Sequence, residues 1–250
     1  MSIEGQIIES CPIVQCITNT VTINDCANAI LAVGASATMA HHIEEVAEIQ
    51  SGCNALVLNL GATECFDAMK KAFTAANKKE TPIIIDPVGC GGSSFRRKFF
   101  VELSSLGKLA CIRGNYSEIL ALYKEMATSI GVDSKEDMSS CPEVIENAVA
   151  GLAKKHNCFV VASGEVDVIS DGDTIKRISG GSNLMKKITG AGCMSSAILG
   201  AYLATKNSFD SVEACCRRMK NAGEVAEKQT REKNAGTMTF RNLLIDELSR

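Results

Sequence analysis

Pro82-Ile83-Ile84-Ile85-Asp86-Pro87-Val88 reads as the strongest strand in the chain, a run of β-branched residues that closes on a carboxylate. Upstream, Asn54 to Leu60 is a nearly continuous apolar run, as expected of a strand buried on both faces. A sheet covered on both faces needs helices on each side, and the surrounding sequence supplies them in alternation. Between the two runs, Thr63 caps a helix that carries Phe66, Met69, Phe73 and Ala76 on one side. After Val88 comes the loop Gly89-Cys90-Gly91-Gly92-Ser93-Ser94, then a helix from about Phe95.

The alternation extends in both directions. Towards the N-terminus, Pro12 to Thr18 is a strand, and Asn24 is placed to cap a helix over Asp25 to Val33 that Gly34 ends. Ser36 to Ala40 is a short extended piece, and Ile43 to Gln50 an acidic helix. Towards the C-terminus, Lys108 to Ile112 is a buried strand ending at Arg113-Gly114-Asn115, with a helix from near Ser117. Asp133 to Ser140 is polar and reads as a loop, and Pro142 opens a helix running to His156. Cys158 to Ala162 is a strand that leads into Ser163-Gly164-Glu165. Val166 to Ser170 and Thr174 to Ser179 form a hairpin around Asp171-Gly172-Asp173. Helices from Cys193, from about Ser208 and from near Phe240 complete the chain. No linker or repeat interrupts this order, which predicts a single domain over residues 1–250: three layers, α/β/α, around a mostly parallel sheet.

In such sheets ligands sit beyond the carboxyl ends of the strands, where Asp86, Arg113, Asn115, Ser163 and Glu165 fall. One more stretch points to the same edge. In Lys187-Ile188-Thr189-Gly190-Ala191-Gly192-Cys193-Met194, small residues precede a helical run, and glycines allow backbone angles closed to other residues. Helix-opening amides lack internal partners and favour anions, so this turn is a phosphate cradle, or else a simple passage from strand to buried helix. Cys193 lies in the first turn, where a thiol pKa is expected to fall. Phosphoryl transfer needs positioning, a divalent cation and positive groups around the moving phosphate. Asp86 and Glu118 are candidates for holding magnesium, Arg113 for the nucleotide phosphates, and Cys193 for the proton of a substrate hydroxyl. Each has a structural alternative: Asp86 as a turn former, Glu118 as a first-turn carboxylate, Cys193 as packing. No Walker A pattern or kinase-type glycine loop occurs.

Composition narrows the class. The 250 residues are 46% hydrophobic and 22% charged, ordinary for a globule, and no apolar run is long enough to span a bilayer. A formal charge of −3 with dispersed Lys and Arg leaves no nucleic-acid footprint; Arg96-Arg97-Lys98 and Arg217-Arg218 read as solvated helix faces. The twelve cysteines include no C-x-x-C pair, and Cys16, Cys111 and Cys158 sit in apolar runs as small core residues. His41, His42 and His156 lack ligand spacing. The N-terminus has no signal-peptide pattern, so a cytoplasmic location is expected.

The chain resembles hydroxyethylthiazole kinases, members of the ribokinase-like superfamily, over nearly its whole length. The likeness rests on Ile17-Thr18-Asn19, Gly34-Ala35-Ser36 with Met39, Asn59-Leu60-Gly61, Asp86-Pro87-Val88-Gly89, Phe95-Arg96, Ile112-Arg113-Gly114-Asn115 with Glu118, Gly164-Glu165-Val166-Asp167 and Thr189-Gly190-Ala191-Gly192-Cys193. Cys193 is its most specific element, since most of the superfamily carries Asp there. The resemblance implies ATP-dependent phosphorylation of the hydroxyl of 4-methyl-5-(2-hydroxyethyl)thiazole, with Mg²⁺. It places Met39, Gly190 and Asn19 at the thiazole, Arg113 and Ser163 at ATP, Asp86 and Glu118 at the metal and phosphates, and Cys193 at the base position. It also implies a homotrimer with the thiazole pocket between subunits; from charge and hydropathy, no nucleic-acid or membrane partner is expected. Ser163 stands where the family usually has Thr and keeps the hydroxyl; Ala37 replaces a usual Pro, and Gly92 and Ser94 also depart from the common pattern. A kinase of the same fold for the pyrimidine half of thiamin or another small alcohol, and a non-catalytic nucleotide- or thiazole-binding protein, are the alternatives.

Overall fold

The structure, a computed structural model, describes residues 1–129 and 142–250. The expected loop at Asp133 to Ser140 lies outside the described residues. Eight strands form one sheet in the order β2-β1-β3-β4-β5-β6-β7-β8. They are β1 Ile13–Ile17, β2 Ser36–Thr38, β3 Ala55–Asn59, β4 Ile83–Asp86, β5 Cys111–Asn115, β6 Phe159–Ser163, β7 Asp167–Ser170 and β8 Ile175–Ile178. The first six pair in parallel, while β7 and β8 add an antiparallel hairpin at one edge. The carboxyl ends of β1 to β6 therefore share one edge of the sheet.

Helices cover both faces. On one face lie α1 Ile3–Ser10, α2 Ile23–Ala32, α8 Ala191–Thr205, α9 Phe209–Glu232 and α10 Thr237–Leu248; on the other lie α3 Val46–Ser51, α4 Phe66–Lys78, α5 Ser94–Ser104, α6 Tyr116–Ser129 and α7 Pro142–His156. Side chains alternate across each strand, so the pleat divides the strand residues between two cores. Val57 and Ile84 face the α8 layer, whereas Leu56, Leu58, Ile83 and Ile85 face the α4 layer. This is the expected three-layer, mostly parallel architecture. α8 is apolar all round and buried along nearly its whole length, packed against β1, β3, β4 and β5 beneath α2 and α9. Gly200 lets it approach: a Cβ there would stand 2.8 Å from both Val14 and Val57.

Several local expectations shift. Thr22, not Asn24, is the residue before α2; Asn24 lies inside the helix and accepts from Asn28 Nδ2 at 3.0 Å. β5 begins later than expected and runs on through Arg113 to Asn115, because each of those residues pairs with β6. Thr63 opens a 3₁₀ turn rather than capping α4. The acidic segment expected as a helix from Ile43 folds as one only from Val46. α1, which no periodic pattern announced, is capped by Ser2.

Candidate functional site

Pleat parity decides which strand-end residues meet α8. Asn59 is two residues past Val57, Asp86 two past Ile84 and Arg113 two past Cys111, all three of which face the α8 core. Asn59 and Asp86 are also register partners across β3 and β4. Three buried polar side chains thus converge at the start of α8, where Cys193 sits in the first turn.

The contacts are dense. Asn59 Nδ2 donates to Asp86 Oδ2 at 2.9 Å and to Cys193 Sγ at 3.2 Å. Asn59 Oδ1 accepts from the Gly61 amide at 2.9 Å and from Asn19 Nδ2 at 3.3 Å. Asn19 Nδ2 also reaches Cys193 Sγ at 3.6 Å, and its Oδ1 accepts from Thr22 Oγ at 3.2 Å. The sulfur is therefore a shared acceptor for two amides. Asn59, which the sequence reading left without a role, joins Cys193 to Asp86. Its signal was a polar residue closing an otherwise apolar strand, as Asp86 does on the next strand.

The expected drop in the Cys193 pKa is corrected. Burial, reinforced by nearby Asp86, pushes the thiol up to about 12, which outweighs donation from Thr22 and Asn59. At neutral pH Cys193 is a thiol. Asp86 is raised to about 7: burial dominates, Arg113 opposes it and Glu118 adds to it.

The glycine turn is built as expected at one residue and otherwise at the other. Gly190 takes φ +86° as the residue before α8, and a Cβ there would lie 2.7 Å from Thr22 Cγ2. Gly192 is already helical; its need is room, since a Cβ would meet an Arg113 guanidinium nitrogen at 3.2 Å. Arg113 donates from that nitrogen to Gly192 O at 2.8 Å and lies 3.5 Å from Ser196 Oγ.

Glu118 occupies the first turn of α6. Its Oε2 accepts from the Asn115 amide at 2.9 Å while Asn115 Oδ1 accepts from the Glu118 amide at 3.0 Å, a reciprocal cap, and its Oε1 holds the Gly89 amide at 2.9 Å. Arg96 and Arg97 do not form the expected solvated face. They turn in to the same loop, donating to Val88 O and Cys90 O at 2.8 Å each. Arg218 likewise turns to the carbonyls of Glu247 and Leu248 at the end of α10, whereas Arg217 pairs with Glu213 on the surface.

Ser163, the last residue of β6, donates its hydroxyl to Gly114 O at 3.2 Å. Met39 follows edge strand β2, half-buried against the α8 core, on the same rim as Asn19. Asn19, Asn59, Asp86, Arg113, Gly190 and Cys193 form one connected group. Glu118 joins it through its field on Asp86. Met39 and Ser163 lie on the rim, outside the hydrogen bonds that Asn19 and Asn59 make to Cys193.

The residues suit Mg²⁺ in the way phosphate-bound magnesium is usually held. Among the described residues no cluster of three His, Cys, Asp or Glu forms a protein cage. Mg²⁺ commonly takes one or two carboxylates and leaves its other positions to water and phosphate oxygens. A buried Asp86 whose charge is made costly by its surroundings is a hard oxygen donor that a cation would relieve.

A hydroxyethylthiazole kinase family model matches residues 5–250. A hydroxyethylthiazole kinase of Methanobrevibacter smithii is 44% identical over 248 residues, covering 95% of this chain and 86% of that protein. The solved structure of a hydroxyethylthiazole kinase from Pyrococcus horikoshii superposes with a TM-score of 0.86 at 33% identity, covering 99% of this chain and 91% of that one. A ribokinase-like superfamily protein from Enterococcus faecalis shares the fold at 11% identity, with a TM-score of 0.63. With its glycine turn, its strand-end carboxylate and this similarity over almost its full length, the chain belongs to the hydroxyethylthiazole kinase family.

Proposed function

We propose that this protein transfers a phosphoryl group from ATP to the hydroxyl of 4-methyl-5-(2-hydroxyethyl)thiazole, giving the thiazole phosphate used in thiamin salvage, with residues 1–250 acting as one catalytic domain. The observation that carries the reading is the amide of Asn59 bridging Cys193 Sγ and Asp86 at the mouth of the Gly190 turn. It ties the place of a substrate hydroxyl to the place of a phosphate. Bound Mg²⁺ would neutralise phosphate charge, with Asp86 and Glu118 as the residues that would hold it, directly or through water, while Glu118 keeps the Gly89 and Asn115 amides.

The chain's own residues do the rest. Arg113, fixed on Gly192 O, presents its remaining donors to the nucleotide phosphates. The opening amides of α8 face the charge that develops on the moving phosphoryl group. Met39, Asn19 and Gly190 frame the thiazole, and Ser163 contacts ATP. Cys193, held as a neutral thiol, takes no proton itself; it orients the hydroxyl by hydrogen bonding, and the hydroxyl's proton passes late to an oxygen of the transferred phosphoryl group as the bond from phosphorus to ADP breaks. A loose transition state tolerates this, because the nucleophile is little deprotonated before the bond to phosphorus forms.

With Mg²⁺ and ATP, hydroxyethylthiazole should be turned over far faster than hydroxymethylpyrimidine or sugar alcohols in a coupled assay. Equal turnover of the pyrimidine would overturn the substrate assignment, and no alcohol-dependent ATP consumption would favour a non-catalytic binding protein. A homotrimer with shared pockets fits the half-buried Met39 just past an edge strand, near exposed His42 and Ile43. Sedimentation should then give about three times the 26.6 kDa chain mass; a monomer would refute it. Eleven free cysteines among the described residues suit a reducing cytoplasm. Among those residues no helix is long and apolar enough to cross a membrane.

A further inference from the structure

Lys220 is a buried cation of α9 that takes no part in the hydrogen-bond network around Cys193. It lies in α9 with only 6% of its surface exposed. A buried ammonium is costly unless each of its three hydrogens finds an acceptor. Here Nζ lies 3.0 Å from Gly164 O, 2.8 Å from Glu165 O and 3.2 Å from Asp167 Oδ1. Asp167 Oδ1 also accepts from the Gly164 amide at 3.0 Å, closing the turn on itself. From the other side the Tyr116 hydroxyl donates to Val166 O, and its ring leaves no space at Gly164, where a Cβ would stand 2.9 Å away. The turn between β6 and β7, which follows directly on Ser163, is thus clamped between α9 and α6.

One helical turn further along α9, Glu224 Oε1 accepts from the Gly181 amide at 2.9 Å. Because β8 runs antiparallel to β7, with Ile178 opposite Asp167, its exit at Gly180 and Gly181 lies at the same edge of the sheet. That segment leads through a 3₁₀ turn, Asn183–Lys187, to Gly190. A single face of α9 therefore pins the turn that follows Ser163 and the loop that enters the glycine turn.

We infer that Lys220 is a positioning residue for the nucleotide side of the site, holding the Ser163–Val166 turn in the shape that receives ATP. The inference rests on the proposed placing of ATP at Ser163. The test is steady-state kinetics with ATP and the thiazole alcohol varied in turn, alongside ADP titration by calorimetry. Lys220→Met alone leaves Asp167 buried without its partner and is prone to misfold. Lys220→Met combined with Asp167→Asn removes both charges and keeps the acceptor for Gly164. In this double variant the KM for ATP and the Kd for ADP should rise about tenfold or more, while the KM for the alcohol stays within twofold. Nucleotide constants within twofold of wild type, in a folded double variant, would overturn the role. Equal loss for both substrates would reduce Lys220 to a structural residue and also overturn it. Ser163→Ala separates this from the underlying reading: if Ser163→Ala leaves the ATP constants unchanged while the double variant raises them, the turn serves ATP through its backbone. If neither changes them, the placing of ATP at this turn falls and the inference with it.

Discussion

At the scale of single residues, Cys193 and Asn59 act together, and their substitutions should show it. Cys193 is a thiol at neutral pH and acts by positioning the hydroxyl, not as a base; Cys193→Ala should slow turnover by about 10- to 10³-fold, the cost of a misplaced reacting group. Cys193→Asp should stay active, since its side chain reaches about as far, but with a pH profile moved upward, because burial beside Asp86 disfavours a second negative charge there. A double-mutant cycle with Asn59→Ala should be non-additive, because removing either partner breaks the same bridge. Strict additivity in kcat/KM would mean that the contact has no part in turnover. The sequence reading placed Cys193 correctly in the first turn of its helix and drew the wrong sign for its pKa. Position along a helix is legible in sequence; burial beside Asp86, which depends on pleat parity two strands away, is not.

At the scale of elements, the entry to α8 and the start of α6 are the parts most sensitive to change. Gly190→Ala sets a side chain at φ +86° and 2.7 Å from Thr22, and should cost about 1–3 kcal/mol, read as a lowered midpoint in a thermal melt. The same variant should lose most of its turnover. Glu118→Gln keeps one acceptor but cannot serve both the Asn115 and Gly89 amides with charge. It should cut turnover by about 10²-fold and lower stability by about 1 kcal/mol, the usual worth of a cap. Near-normal turnover at saturating magnesium would restrict Glu118 to capping. From β1 onward the alternation of strands and helices was readable, since buried strands announce themselves as apolar runs, whereas α1 was not read from the sequence. Boundaries were readable only where local chemistry sets them: α7 starts at Pro142 as expected. β5 outlasts its apolar run because the pairing that extends it comes from β6, about 45 residues away.

For the molecule as a whole, the site is a source of instability. Asp86 has a folded pKa near 7, above its unfolded value of 3.8, so between those values the folded state binds more protons than the unfolded one. Stability contributed by this residue is therefore present at acid pH and is lost as pH rises towards 7. Asp86→Asn removes the buried charge. Its melting midpoint should exceed that of wild type above pH 7, by several degrees, and the gain should vanish towards pH 4, while turnover falls by about 10²-fold or more. A pH-independent difference between the two melts would refute the linkage.

The seating of α8 on the sheet has a further consequence. Gly200 packs against Val14 and Val57 about three turns below Gly190, so the helix that opens at the proposed phosphate turn is keyed to the sheet like a bolt in its slot. The end proposed to receive phosphate is thus the rigidly seated part of this scaffold, and the rim at Asn19 and Met39, carried on short connections at the other side, is the part less tied to the sheet. A lineage seeking a new alcohol can rewrite that rim without disturbing the bolt. One that alters the packing around Gly200 changes catalysis for every substrate at once.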